Sequence, residues 1–205
     1  MTDLPNYTLQ RILNSAKKEF LAKGYQEASL RDISKEANVT TGALYGYFKN
    51  KEDLFGAIVH CYYYGIQQKY RDVLNEFLKL PTQTKREAYD ALSTAYMMSL
   101  ANYMYEHYDE FKLILCCSED TKYSDLVNEM ALIDERATKE YLESLASSGI
   151  AIEHISPRLE HILTTGLFSM FFELIVHDIP QEDAHEYVHK LMEFFSTGYR
   201  KILGL

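Results

Sequence analysis

SLRDISKEANVTTGALYGYFKNKEDLF, residues 29–55, decides the fold of this chain. Ser29 carries a side-chain oxygen able to cap a helix, and Asp32 stands three residues on, in capping-box spacing; Leu30, Ile33 and Ala37 then recur at helical intervals. Asn38 ends that helix, because Asn tolerates the left-handed conformation just past a helix C-terminus, and Val39 gives the turn an apolar anchor before Thr40 caps the next helix. That second helix is short. It sets Thr41, Gly42, Ala43, Tyr45 and Tyr47 on its outer side and Leu44 and Phe48 on its inner side, so most of its surface is left for a partner. Asn50 caps a third helix that opens with Lys51 and Asp53, where free backbone N–H groups, a positive dipole end and a cation can meet one phosphate. Two short helices joined by a tight turn make a helix-turn-helix. Small residues at the start of its second helix admit close approach to a DNA major groove, and its hydroxyls can donate to phosphates or base edges.

Residues 12–55, about a fifth of the chain, closely resemble the N-terminal DNA-binding domain of the TetR family of bacterial transcriptional regulators. The matching runs are Thr40-Thr41-Gly42-Ala43-Leu44-Tyr45 and Tyr47-Phe48-Lys49-Asn50-Lys51-Glu52-Asp53-Leu54. The resemblance implies that Thr41, Tyr45 and Tyr47 contact DNA, that Lys51 with the N-terminus of its helix grips a phosphate, and that Arg31, Thr40, Gly42, Ala43 and Lys49 belong to the same surface. Two positions depart from the family pattern. Asn38 replaces the more usual Gly with the next-best residue for the same backbone conformation, and Gly46 replaces a bulkier residue before the second aromatic, which bears on how far Tyr47 reaches.

Charge divides the chain. Residues 1–60 carry eight Lys/Arg against seven Asp/Glu, whereas residues 61–205 carry thirteen against twenty-three. A near-neutral reader calls for a few placed phosphate contacts rather than binding by bulk charge, and the acidic remainder should be held off DNA. Three cysteines (Cys61, Cys116, Cys117) do not make a disulfide framework at this length, and no charged-then-apolar leader opens the chain. The most apolar run, residues 167–176, holds Ser169 and Glu173 and is far short of the ~18 apolar residues of a span. A cytoplasmic location and no membrane partner are expected.

A first helix carries Leu9, Ile12, Leu13, Ala16 and Phe20 on one stripe and stops at Gly24, with Leu4-Pro5 at its start. The helix after Asn50 meets no proline until Pro81 and so bridges the reader to the acidic C-terminal part of the chain. Further helices are expected from Thr84 to about Glu106, Tyr108 to Cys117, about Tyr123 to Ser147, Leu159 to Val176 after a Ser156-Pro157 start, and about Glu182 to Leu203. No strand pattern appears, so the expectation is an all-α chain of about nine helices. It has an N-terminal helix-turn-helix domain over residues 1–50, with the start of the bridging helix to about 60, and a helical ligand-binding and dimerisation bundle over 51–205.

His185-Glu186-Tyr187-Val188-His189 fits H-E-x-x-H, but the downstream carboxylate, Glu193, would stand about 12 Å along the axis from His185, too far for one ion. Neither a catalytic site nor a metal site is expected there, and no cofactor is called for. Adjacent Cys116 and Cys117 point about 100° apart on a helix and converge poorly on one ion; sensing of metal or oxidants through them is the alternative function. Thirteen of the seventeen tyrosines lie beyond residue 60. Tyr63, Tyr70, Tyr96 and Tyr103, with Phe111, Phe168 and Phe172, are candidates to line an apolar pocket with orienting hydroxyls, and Glu173 either reaches solvent or a partner chain, the favoured reading, or is a candidate carboxylate for a cationic ligand in that pocket.

No phosphate loop, nucleophile elbow or paired acid-base set is present, so the chain is expected not to be an enzyme. The function expected is a ligand-responsive regulator, most simply a repressor released from a pseudo-palindromic operator by a small-molecule inducer. It would act as a homodimer through the last two long helices. A ligand bound beyond Cys61 would shift the bridging helix and so spoil the spacing of the two readers.

Overall fold

The computed structural model describes residues 4–205. Among them nine helices and no strand occur: α1 (Leu4–Glu27), α2 (Leu30–Glu36), α3 (Thr41–Tyr47), α4 (Lys51–Lys79), α5 (Thr82–Glu106), α6 (Tyr108–Cys116), α7 (Leu126–Ser147), α8 (Pro157–Val176) and α9 (Gln181–Leu203). The capping chemistry read from the sequence is in place. Ser29 Oγ accepts from the Asp32 amide at 3.3 Å, Thr40 Oγ1 from Ala43 at 3.1 Å, Asn50 Oδ1 from Asp53 at 2.8 Å and Ser156 Oγ from Leu159 at 3.2 Å. Asn38 takes φ 53°, the left-handed value that ends α2, while Gly24 takes φ 73°, a non-helical kink inside α1, which runs on to Glu27 rather than stopping there. α7 starts three residues later than its periodicity suggests. Thr121 Oγ1 donates to Ser118 O and accepts from the Tyr123 amide, and Ser124 Oγ donates to Thr121 O, so local side-chain bonds hold a turn where a helix would otherwise begin.

The chain forms two compact units, and the boundary differs from the one expected. Among the described residues, 4–64 group with 107–124, and 65–106 group with 125–205. The single helix α4 thus contributes its first half to one unit and its second half to the other, and α6 belongs with the N-terminal helices rather than the bundle. The reason lies in polar links that periodicity does not report. Lys17 pairs with Glu110 and Asp109 on α6, the Tyr25 amide donates to Cys117 O at 2.9 Å, and Gln26 Nε2 donates to Asp120 Oδ2 at 2.6 Å.

The core of the first unit joins Ile12, Ala16 and Phe20 of α1 to Ile33, Leu44, Phe48, Leu54 and Phe55. Phe55 meets Phe20 edge-on at 5.1 Å and Tyr25 at 5.4 Å. Gly56 of α4 is required by Tyr123, whose hydroxyl would stand 2.7 Å from a Cβ there. Tyr123 is buried, packed on Phe55 and Tyr63, and its hydroxyl lies 3.2 Å from His60 Nδ1, so it has little room to yield. Gly56→Ala is therefore expected to lower stability despite gaining about 1 kcal/mol of helix propensity, since overpacking a fixed ring costs about 1–3 kcal/mol. A melting temperature lowered by about 2–4 °C is the expected reading, and a rise would show that Tyr123 moves aside freely.

In the second unit α8 packs along α7 and α9, and α5 along α9. Phe77, Tyr141 and Leu145 form a buried cluster flanked by Tyr89, Leu92, Tyr96, Leu142, Ile150 and Ile152. α8 is 20 residues long with a mean hydropathy of 1.4 in its most apolar window, enough by composition alone to cross a membrane. Its composition has another cause. One face buries Thr164, Phe168, Phe171, Phe172 and Ile175, while Leu159, Ile162 and Met170 stand out on the other, beside α7 and α9 helices rich in charge. Two apolar faces on one helix are what a partner chain would cover.

Candidate nucleic-acid interface and a cavity in the bundle

Thr40 and the Asn38 turn set α3 so that only Leu44 and the following Phe48 point inward. Gly42, Ala43, Tyr45, Gly46 and Tyr47 are exposed, with Thr41 half-buried at the helix start. Arg31 and Lys49 are exposed beside them. The cations sort by what they already touch. Lys18 pairs with Glu36, Lys23 with Glu19 and Asp32, and Lys17 with Glu110, whereas Arg31, Lys35 and Lys49 take part in none of the described ion pairs. Uncompensated cations beside a protruding short helix are what phosphate binding needs. The motif does not single out Lys35; that it stays outside the described ion pairs is visible only in three dimensions.

Lys51 has a second role that spacing does not reveal. Its ammonium donates to Gln26 O at 2.8 Å and Ala28 O at 3.2 Å and lies 4.8 Å from the Tyr25 ring centroid. It ties the end of α1 to the start of α4, with one N–H left over for a phosphate. At the same helix start Asn50 and Asp53 cap reciprocally, the Lys49 amide donating to Asp53 Oδ2 at 3.0 Å.

The bundle holds a cavity of about 70 Å³ lined by Tyr70 and Phe77 of α4, Tyr89, Ser93, Tyr96 and Met97 of α5, and Asp134, Thr138 and Tyr141 of α7, among others. A space of about 40 Å³ shares Tyr89, Asp134 and Thr138 with it. Another, of about 140 Å³, shares Tyr89, Thr138 and Tyr141. Of the pocket residues expected from the sequence, Tyr70 and Tyr96 line the cavity, and Phe168 backs it by packing on Tyr70 at 5.5 Å. The others lie elsewhere. Tyr63 packs on Tyr64 and Tyr123, and Phe111 is core of the first unit. Tyr103 lays its hydroxyl against Gly65, and Phe172 is buried against Phe168 and Phe171. Glu173 is exposed on α8 and bonds His177 Nε2 at 2.8 Å, so of its two readings the outward-facing one holds and it is not a pocket carboxylate.

The carboxylate inside is Asp134. Tyr70 donates to its Oδ1, and Thr138 Oγ1 donates to Oδ2 at 3.5 Å. Burial pushes this carboxyl up to about 6, against the pull of those two hydrogen bonds and with a further push from Glu135 and Glu160. Burial likewise raises the Tyr70, Tyr89 and Tyr199 hydroxyls well above their ordinary range, so all three stay protonated. The signal is present in the sequence: Asp134 falls between Met130 and Ala137 on the buried stripe of α7.

The cysteines diverge, Cys117 buried and Cys116 exposed, with burial raising the Cys117 thiol. Among the described residues no three His, Cys, Asp or Glu side chains gather as metal ligands. His185 and His189 are both exposed on α9, where Glu186 pairs with Lys190 at 2.5 Å.

A short capped helix with exposed aromatic side chains, flanked by cations outside the described ion pairs and carried on two supporting helices, is the architecture of a helix-turn-helix. Residues 12–58 match the sequence profile of bacterial regulatory proteins of the tetR family. Over that stretch the chain is similar to TetR-family transcriptional regulators. It is 49% identical over 55 residues to the Transposon Tn10 TetC protein of Escherichia coli, covering 27% of this chain and 26% of TetC. It is 47% identical over 51 residues to the HTH-type transcriptional regulator AcrR of Shigella flexneri, covering 25% and 24%. The match thus spans only about a quarter of either relative's length. A longer alignment reaches the regulator YhgD of Bacillus subtilis at 24% identity, over 80% of each chain. In fold the whole chain is similar to a TerR/AcrR family transcriptional regulator from Aquifex aeolicus (TM-score 0.57, 21% identity, 91% of this chain and 98% of that one). It is also similar to FadR of Bacillus subtilis in complex with stearoyl-CoA (TM-score 0.57, 16% identity, 91% and 96%).

Proposed function

We propose that this protein is a ligand-responsive repressor that binds a pseudo-palindromic operator as a homodimer in the cytoplasm and leaves it when a small molecule enters the bundle. The observation that carries the reading is α3, a helix capped by Thr40 that keeps Leu44 inside and presents Tyr45 and Tyr47 outward. Support for the dimer comes from Leu159, Ile162 and Met170 on α8 and from Tyr187 and Phe194 on α9, large apolar side chains left uncovered at helical spacing. Support for repression comes from relatives such as the probable acrEF/envCD operon repressor of E. coli, 42% identical over 48 residues. Support for ligand response comes from the cavity and from the continuous α4, whose Tyr70 lines it and whose Lys51 lies in the reader.

The test is a titration of DNA from the gene's own upstream region across salt concentrations. Binding that is tight, saturable and salt-dependent supports the reading, and binding equal to that of random DNA sinks it. Two lysine variants separate positioning from phosphate contact. Lys49→Ala should leave stability within about 0.5 kcal/mol and reduce the salt slope by about one. Lys51→Ala should also weaken binding to all sequences, and should cost about 1–2 kcal/mol of stability as well because two carbonyls lose their donor. An unchanged melting temperature for Lys51→Ala would remove its structural role.

A further inference from the structure

We infer that the effector is a small hydrophobic amine, its ammonium received by Asp134 and its hydrocarbon part held among Phe77, Tyr89, Tyr96 and Tyr141. This rests on the ligand-responsive reading and names the chemistry of its ligand. Three observations converge. First, the cavity wall is aromatic: Tyr89 and Tyr141 stack at 5.4 Å and 11°, with Phe77 edge-on to both at 6.0 and 5.3 Å. Such faces attract hydrocarbon and cation alike. Second, Asp134 is a buried carboxyl that meets hydroxyls only and has no cationic side chain among its described partners. A buried carboxylate without a counter-charge is costly, and an ammonium would relieve that cost. Third, the surroundings leave polar capacity unused, since Tyr199 Oη and Glu160 Oε1 are buried and complete no hydrogen bond of good geometry, although they lie close enough for Glu160 to raise the Tyr199 hydroxyl. Tyr199 lines the two adjoining spaces.

Size chooses among cations. The cavity at Asp134 is about 70 Å³, and its neighbours are about 40 and 140 Å³. A cavity of about 150 Å³ holds one benzene, so the space at Asp134 together with its neighbours, which share lining residues with it, is on the scale of a single ring or a short alkyl chain with one ammonium. It does not suit a polycyclic dye or a long acyl chain, and an acidic interior disfavours an anionic thioester. The site also carries its own route outward. An ammonium on Asp134 Oδ1 takes the place of the Tyr70 hydroxyl, and Tyr70 belongs to α4, the helix that begins at Lys51.

The pH dependence is set by the groups facing Asp134. These are Tyr70 on α4, Tyr89 on α5, Glu135 and Thr138 on α7, Glu160 on α8 and Tyr199 on α9. The three tyrosines stay neutral, burial also raises the Glu160 carboxyl, Glu135 contacts His161 at 2.8 Å, and Asp134 titrates near 6. Amine affinity should therefore be flat above pH 7 and fall toward tenfold per unit below 6.

The experiment measures binding of 2-phenylethylamine, of its neutral analogue 2-phenylethanol and of stearoyl-CoA to the full chain and to Asp134→Asn, by calorimetry and thermal shift. Asn keeps the shape and an acceptor for Tyr70, and circular dichroism verifies that the variant is folded. The expected result is amine binding that weakens at least tenfold in Asp134→Asn, while the alcohol binds both proteins equally and more weakly. Equal amine affinity in the two proteins, no amine binding at millimolar concentration, or binding of stearoyl-CoA alone would overturn the inference. If the amine binds through Asp134 yet operator affinity in a parallel titration does not change, the amine is not the effector and the inference falls. If no amine binds but another small molecule releases the operator, the inference falls and the ligand-responsive reading stands.

Discussion

At pH 7.5 the Asp134→Asn protein is expected to melt roughly 6–12 °C above the parent, and at pH 4 to melt with it. The folded carboxyl titrates near 6 because burial penalises its charge, while in the unfolded chain it titrates near the ordinary aspartate value of 3.8. Between those values the native state holds a proton that the unfolded state has released, so stability falls as pH rises. The cost is absent below about pH 4 and complete above about 6. Two units correspond to about 3 kcal/mol, and a chain of this size gains about 2–4 °C per kcal/mol. Removing the charge removes the cost, so the difference between the two melting curves should open across that window. An Asn variant that melts lower than the parent at pH 7.5, or one whose advantage is the same at every pH, would show that Asp134 is compensated by something other than hydroxyls.

A group that destabilises the empty bundle and would be relieved by a cation is a source of differential affinity, which a ligand must have if it is to shift a conformational equilibrium.

Ile162→Glu combined with Met170→Glu is expected to abolish dimerisation and to weaken operator binding about 10²- to 10⁴-fold. Both side chains lie on the outward face of α8, 60% and 50% exposed, so neither substitution disturbs the buried face that carries Phe168, Phe171 and Ile175. In the dimer each Glu would be desolvated against an apolar surface without a counter-charge, at a cost of several kcal/mol. Once the chains separate, each reader binds its half-site alone and loses the effective concentration supplied by its twin. Sedimentation should report a folded monomer at micromolar concentration, and binding to a single half-site should match the parent. A variant that still sediments as a dimer would move the interface elsewhere.

Local chemistry was legible wherever one residue's side chain decides a neighbour's backbone. Ser29, Thr40, Asn50 and Ser156 announced their helices because a capping oxygen acts within three residues, Asn38 announced the end of α2 because left-handed φ is cheap for few residue types, and Gly24 marked a kink in α1 rather than its end. The outward set of α3 followed from its shortness, since a seven-residue helix can bury little more than Leu44. Periodicity likewise fixed the bounds of α5, α8 and α9 to within two residues.

What the sequence by itself determined, then, is the all-helical class, the order of the helices and the surface of the reader, because these depend on interactions a few residues apart. The tertiary structure alone decided the rest. It drew α6 to the reader through Lys17 and Glu110, residues 93 apart in sequence. It turned Lys51 onto the carbonyls of Gln26 and Ala28, and it chose Asp134 rather than Glu173 as the carboxylate within the bundle. Glu173 has the more apolar sequence neighbours, but burial is set by the helices packed alongside. One side of α8 was left without such a neighbour, while the side of α7 bearing Asp134 was enclosed by α4, α5 and α9.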